Sequence, residues 1–441
     1  MSTMEGAIEY RDTWRGLRIL VPEGWQVRRS ERGLLLHDGT GLRAIVAEPR
    51  PGATLMDGLQ EDLLAWLRRF DPGAQVDAEP DGPTQTRACT ASLTLAPGLE
   101  EIGVFAQQLR PAGGFISGFL APVTTYEADC RTAVAALATL APLPALSRSL
   151  WREPSENACS AWIPRGWRAA GHVNRSSPSG MATTSFHAWA DEWTGVVASA
   201  ESRLFSEPRG LSGLLGSHTN GPAAQGRFVD AAGFAETYLL PALREEAPDA
   251  QIEAIIPRPD LVPLAVARQA AGGLSLQQLL QCSPTGAEIV LSFHAGGREL
   301  RQISRVLTMR VPAAVSRGLP LWVATIPHSY RAPVERFAEW APVLEGVGLS
   351  FRVDAGWQEK EQSRAAGPAG RAAMEKVLAA DPPALLADAE RLVAEGLGRP
   401  LGLHERPFAA GFESSSGERS PANPVLGLYE ESIWRGVDVR A

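Results

Sequence analysis

The chain has 441 residues, 44% hydrophobic and 21% charged, a globular composition too long for one ordinary core. A formal net charge of −8 counts against nucleic acid as the main partner, because phosphate contacts need a basic face. Of the 42 basic residues only Lys360 and Lys376 are lysines, so residues 1–359 offer none for a Schiff base or a phosphate-binding loop.

Taken in chain order, Leu17, Ile19 and Val21 alternate along a strand. Pro22 at the second position and Gly24 at the fourth predict a type I turn after it, and Trp25 follows as an apolar plug. Leu59, Leu63, Trp66, Leu67 and Phe70 make one stripe of a helix over 57–70. Alternating runs at 86–96 and 102–122 predict strands, the second folded into a hairpin at Gly113-Gly114. A helix is expected within 124–140.

The pattern then starts again. Cys159, Ala161 and Ile163 alternate, Pro164 and Gly166 make the turn, and Trp167 is the plug, 142 residues after Trp25. "LRRFDPGAQV" (67–76) is matched by "LREEAPDAQI" (243–252) at an offset of 176; here Pro241 is expected to kink the preceding helix or delay its start. "TTYEADCRTAVAALATL" (124–140) is matched by "HSYRAPVERFAEWAPVL" (328–344) at an offset of 204, aligning Tyr126 with Tyr330 and placing Pro333 in the first turn of the closing helix. Strand-like runs "AEIVLSFHAGGRELRQISRVLTMRVPA" and "PLWVATIP" precede it.

Three matches in one order at growing offsets predict an internal duplication with insertions in the second copy. The expected organisation is α+β, two tandem domains, each a mainly antiparallel sheet covered by helices. Copy one spans 10–145; copy two spans 152–355, with insertions at about 205–232 and 253–285. Residues 356–441 are expected to form a helical extension and then a polar, partly disordered tail from Arg399 onward. The apolar end of that tail, with Leu428, Tyr429, Ile433 and Trp434, would dock on the protein itself or serve as a partner-binding peptide.

The alternating strand into Val21-Pro22-Glu23-Gly24-Trp25, and again into Ile163-Pro164-Arg165-Gly166-Trp167, together with the helix at 57–70, resembles the PsbP-like fold. That fold is shared by the extrinsic oxygen-evolving protein of photosystem II and a Ran-binding nuclear import factor. The resemblance covers roughly 10–145 and 152–355. It implies a binding or assembly role, with no shared catalytic residues to carry over.

Motifs for chemistry are sparse. The seven histidines include no pair at i, i+4, and "HERPF" (404–408) ends in Phe408 where a zinc helix needs its second histidine. "HDGTG" (37–41) reads as a tight turn, and no G-x-S-x-G elbow is present. Cys282 and His294 would make a nucleophilic site only if the fold brought them together. The cysteines (Cys89, Cys130, Cys159, Cys282) show no C-x-x-C spacing, which suits a reducing compartment. "MSTMEGAIEYRDTWRG" has neither a basic start nor an apolar run, so no signal peptide is expected; no stretch approaches ~18 uninterrupted apolar residues, so no membrane span is expected, and the location expected is cytoplasmic.

"SFHAWADEWTG" (185–195) sets His187, Trp189 and Trp193 close together, and in strand geometry they share one face as a possible aromatic binding surface. The function expected is non-enzymatic: a protein-binding, adaptor or chaperone-like protein with another protein as partner and no cofactor or metal. An enzyme with a small-molecule site between the copies and a structural subunit of a larger assembly are the alternatives.

Overall fold

A computed structural model of the chain describes residues 6–29, 34–37, 44–50, 75–78, 86–96, 99–110, 113–122, 126–144, 146–175, 182–200, 202–207, 224–258, 261–262, 282–311, 321–361 and 363–364. These fall into two compact units that divide between Leu146 and Ser147. The predicted helix at 57–70 and the predicted segments beyond Arg364 lie outside the described residues.

The first unit runs β1 (Ile8–Asp12), β2 (Leu17–Val21), β3 (Gln26–Arg29), β4 (Leu34–His37), β5 (Ala44–Arg50), β6 (Gln75–Ala78), β7 (Thr86–Ala96), β8 (Leu99–Arg110), β9 (Gly113–Pro122), α1 (Tyr126–Ala138) and β10 (Ala141–Pro142). β1, β2 and β10 form a small sheet, and the others form an antiparallel sheet in the order β3-β4-β5-β9-β8-β7-β6. Leu17, Ile19 and Val21 turn into a core with Leu34, Leu36, Phe119 and the buried alanines of α1, as their alternation predicts. A fully buried ion pair, Arg15 Nη1 to Asp12 Oδ2 at 2.8 Å, ties the β1–β2 turn.

The second unit runs β11 (Arg148–Arg152), β12 (Cys159–Pro164), β13 (Arg168–Asn174), β14 (Thr183–Trp189), β15 (Gly195–Ser199), β16 (Ser202–Ser206) and β17 (Ala224–Gln225). A helical rod follows: α2 (Ala231–Phe234), a π-helical turn (Ala235–Leu239) and α3 (Leu240–Glu246). Then come β18 (Gln251–Pro257), β19 (Thr285–Ala295), β20 (Arg298–Arg310), β21 (Leu321–Thr325), β22 (His328–Pro333), α4 (Phe337–Ser350) and β23 (Arg352–Val353). β11, β12 and β23 form a small sheet. The large sheet contains the antiparallel path β13-β14-β15-β22-β20-β19-β18, the same order of strands as in the first unit, with β16, β17 and β21 added beside it.

Each face of this sheet has its own cover. Ile289, Leu291, Phe293, Leu300, Val306 and Trp322 meet Phe234, Leu239 and Leu243 of the helical rod. On the other face α4 packs over β15 and β22. It is tied there by a buried charge chain: Arg258 Nη1 reaches Glu288 Oε2 at 2.8 Å, Arg305 Nε reaches the same oxygen at 3.1 Å, and Arg305 Nη2 pairs with Glu345.

Three local readings change. The turns after β2 and β12 start one residue later than predicted: Trp25 N–H donates to Pro22 C=O at 3.1 Å and Trp167 N–H to Pro164 C=O at 3.2 Å. Gly24 (φ +78°) and Gly166 (φ +88°) therefore sit third in type II turns, where only glycine takes a left-handed backbone without strain. Pro241 neither delays nor breaks its helix. The π-helical turn just before it relaxes the i→i−4 ladder that a proline cannot complete, and the rod starts at Asp230, whose carboxylate accepts from Gly233 N–H. Finally, Tyr330 is not the counterpart of Tyr126. Residues 328–333 are a central strand between β15 and β20, buried on both faces, and Pro333 ends that strand before the helix begins at Phe337.

Candidate functional site

His187 and Trp189 do share a face of β14, and that face is interior. Cross-strand rows run Trp189–Gly195–Arg331–Gln302 and His187–Val197–Ser329–Ser304 across β14, β15, β22 and β20. Trp189 is 1% exposed and His187 8%. Around them lies a buried polar stripe: Gln302 Nε2 donates to Ser304 Oγ at 2.8 Å, Ser329 Oγ to Ser304 Oγ at 2.7 Å, and Ser185 Oγ meets His172 Nδ1 at 3.2 Å. Such a stripe fixes strand register, since a slip of one residue would carry every polar group to the opposite face. Trp193 is half-buried against the same core as Trp189, in a turn where Asp191 Oδ1 accepts from the Trp193 and Thr194 N–H groups at 2.8 Å. Its ring covers Gly296, where an added Cβ would come within 2.1 Å of it. The three residues therefore do not combine into an exposed patch.

Cys282 and His294 are not brought together either. Cys282 precedes β19 and His294 lies near its far end; the rise from Thr285 to His294 alone is roughly 30 Å. Burial pushes the Cys282 thiol up, and the Cys159 thiol up to about 12. His294 instead meets exposed Asp249 at 2.6 Å, and that hydrogen bond holds the carboxyl below its ordinary value.

The motif residues have structural places. Trp25 packs against the first core; Trp167 lies 5.7 Å from the ring of Trp340, whose other neighbour is the Arg336 guanidinium at 5.0 Å.

One exposed surface lies on the outside of the small sheet of the second unit; among the described residues Ile8, Val134 and Ile256 are exposed elsewhere. Cys159, Ala161 and Ile163 face in, so Trp162 faces out, and it is 39% exposed. Directly opposite it on β11 is half-buried Leu150. One row along, Arg152, Ser160 and Arg352 stand in register across the three strands; one row the other way is Arg148. No acidic residue occurs in β11, β12 or β23.

The backbone beneath Trp162 is pinned. Its N–H donates to Ser350 Oγ at 2.9 Å, and Ser350 in turn donates to Val347 C=O at 2.7 Å in the last turn of α4. Arg352 caps the same helix end, with Nη1 donating to the carbonyls of Leu349 and Phe351 at 2.7 Å. Arg152 has a buried Nε without a hydrogen-bond partner among the described residues. This is an apolar pair on a rigid support, edged by positive charge. Its sequence signal was the alternation itself, which puts Trp162 outside by putting its neighbours inside.

The fold is α+β with mainly antiparallel sheets, and the exposed site is an aromatic–aliphatic surface edged by arginine. No family model matches the chain, and no curated protein matches it. Among solved structures, cyanobacterial PsbP (CyanoP) from Synechocystis sp. PCC 6803 is similar over 31% of this chain and 92% of its own, at 9% identity and a TM-score of 0.25. A structure described as the Tle4–Tli4 complex aligns over 79% of this chain and 97% of its own, at 10% identity and a TM-score of 0.20. The immunity protein TplEi of the T6SS from Pseudomonas aeruginosa aligns over 80% and 99%, at 10% identity and a TM-score of 0.16. Among the described residues, no helix is long and apolar enough to cross a membrane.

Proposed function

We propose that this chain is a non-enzymatic protein-binding protein, of adaptor or chaperone-like type, built from two tandem PsbP-like units. The observation that carries the reading is exposed Trp162, seated beside Leu150 on a backbone fixed by α4. Tryptophan and arginine are the residue types that most often dominate protein interfaces, and a preorganised aromatic loses little entropy on binding. The duplication is supported by the shared strand order of the two large sheets and by the paired type II turns at Gly24 and Gly166. Cytoplasmic action belongs to the same reading and is supported by Cys159 and Cys282, both buried free thiols.

The test is affinity capture from the native host with the tagged full chain and with the Trp162→Ala chain, read by mass spectrometry. A stoichiometric partner held by the first and lost by the second supports the proposal. A partner retained equally by both moves the contact elsewhere, and solitary elution of both chains overturns it.

A further inference from the structure

We propose that the outer face of the β11-β12-β23 sheet takes an acidic segment of a partner protein, with an apolar side chain of that segment seated on Trp162 and Leu150 and its carboxylates on the flanking arginines. The inference rests on the protein-binding reading above and adds the chemistry of the partner.

The two small sheets correspond register for register. In the first unit the outward pair one residue before the buried Val21 is Glu9 opposite Leu20, and the adjoining row is Arg11 opposite Arg18. Glu9 supplies the carboxylate for both arginines: Oε2 lies 2.9 Å from Arg11 Nε and Oε1 lies 3.1 Å from Arg18 Nη1. In the second unit the equivalent rows are Leu150 opposite Trp162, and Arg152 opposite Ser160 and Arg352. Here the carboxylate is gone, an indole and an isobutyl group stand in its row, and arginine remains beside them. Arg152 enters no ion pair among the described residues, and no carboxylate is available on these three strands. A partner segment with Asp or Glu beside a Leu, Ile or Phe would supply what Glu9 supplies internally and would also cover the apolar pair.

A phosphate polyanion fits less well: the positive row is short, Arg152 and Arg352 with Arg148 one row away, where polyanion binding needs many phosphate contacts.

The probe is a phage-displayed library of random peptides, panned against the full chain and, in parallel, against the Trp162→Ala chain. The expected result is enrichment, on the wild-type chain alone, of peptides carrying Asp or Glu next to an apolar anchor. Synthetic copies of these peptides should bind about tenfold or more weakly to Trp162→Ala, and comparably more weakly to Arg152→Glu. Their affinity should fall as salt rises through the range where the Debye length drops to ~10 Å. Circular dichroism of both variants, and a Trp162→Phe variant that retains most of the binding, separate loss of contact from loss of fold. Enriched peptides that are neutral or basic overturn the acidic assignment and leave the protein-binding reading standing. Enrichment that ignores Trp162 overturns the assignment to this face and moves the contact elsewhere. Equal or tighter Trp162-dependent binding to anionic phospholipid vesicles replaces the protein segment with a membrane and also overturns the proposal.

Discussion

Replacing Gly166 by alanine tests the turn that recurs in the two units, because the structure separates its two possible costs. A Cβ built on Gly166 meets no atom within 4 Å, so steric crowding contributes nothing. What remains is the backbone: φ is +88°, where an L-residue costs about 1–2 kcal/mol. Alanine also narrows the unfolded ensemble, which offsets about 0.4–1 kcal/mol of that loss. The net expectation is destabilisation of about 1 kcal/mol, a fall of about 0.5 M in the urea midpoint at an ordinary slope. Asparagine, which tolerates the left-handed region, should lose less than alanine at the same site. Gly24 (φ +78°), with equally open surroundings, should behave alike. Gly171 is the control with the opposite cause: a Cβ there would stand 2.6 Å from the backbone oxygen of Ser185, so alanine and asparagine should both be damaging. Equilibrium unfolding followed by tryptophan fluorescence reads all of these. If Gly166→Ala is neutral, or asparagine is worse than alanine, the left-handed turn is not what fixes glycine at that position.

Other consequences follow from buried groups. Burial pushes Tyr10 and Cys159 up to about 12, so both stay neutral in the folded chain after their unfolded counterparts ionise; stability should fall between about pH 9 and 12, checked by urea midpoints across that range. For the same reason the Cys159 thiol should resist alkylation at pH 8 in the native chain and react once denatured, as mass spectrometry would show. Asp12→Ala leaves Arg15 buried without that carboxylate and should cost the first unit about 3 kcal/mol by urea unfolding.

How much of this could be read from the sequence depended on whether a strand keeps one wet face. β2 and β12 do, so the alternation of Leu17, Ile19 and Val21, and of Cys159, Ala161 and Ile163, showed the inward side directly. The paired long strands over 285–310 were legible from their length and from the tight turn between β19 and β20, where Gly296 and Gly297 are both left-handed. β22 is buried at all six positions, so its period of two vanishes and Pro333 made it read as the start of a helix. β14 hides Trp189 in the same way: with nearly every residue buried, nothing in its pattern marks the aromatic face as interior. The buried polar stripe was illegible for a further reason. Gln302, Ser304 and Ser329 look like surface residues one at a time, and only strand pairing sets them side by side.

The contrast between the two small sheets can itself be put to work. On the duplication reading, Glu9 and Leu20 occupy the places of Leu150 and Trp162, and Arg11 and Arg18 occupy the row of Arg152 and Ser160. The double substitution Glu9→Leu with Leu20→Trp removes the carboxylate that Arg11 and Arg18 share and puts an exposed aromatic–aliphatic pair beside them. The substituted chain should then carry two sites for an acidic segment instead of one. Against peptides immobilised densely enough to span both sites, dissociation should slow by about a hundredfold or more, while affinity for the same peptide free in solution stays close to that of the parent site. Surface plasmon resonance at low and high peptide density distinguishes these regimes. If the substituted chain folds with unchanged circular dichroism and gains no density-dependent retention, then an aromatic–aliphatic pair beside arginine is not sufficient for binding, and the recognition chemistry assigned to Trp162 and its neighbours is incomplete.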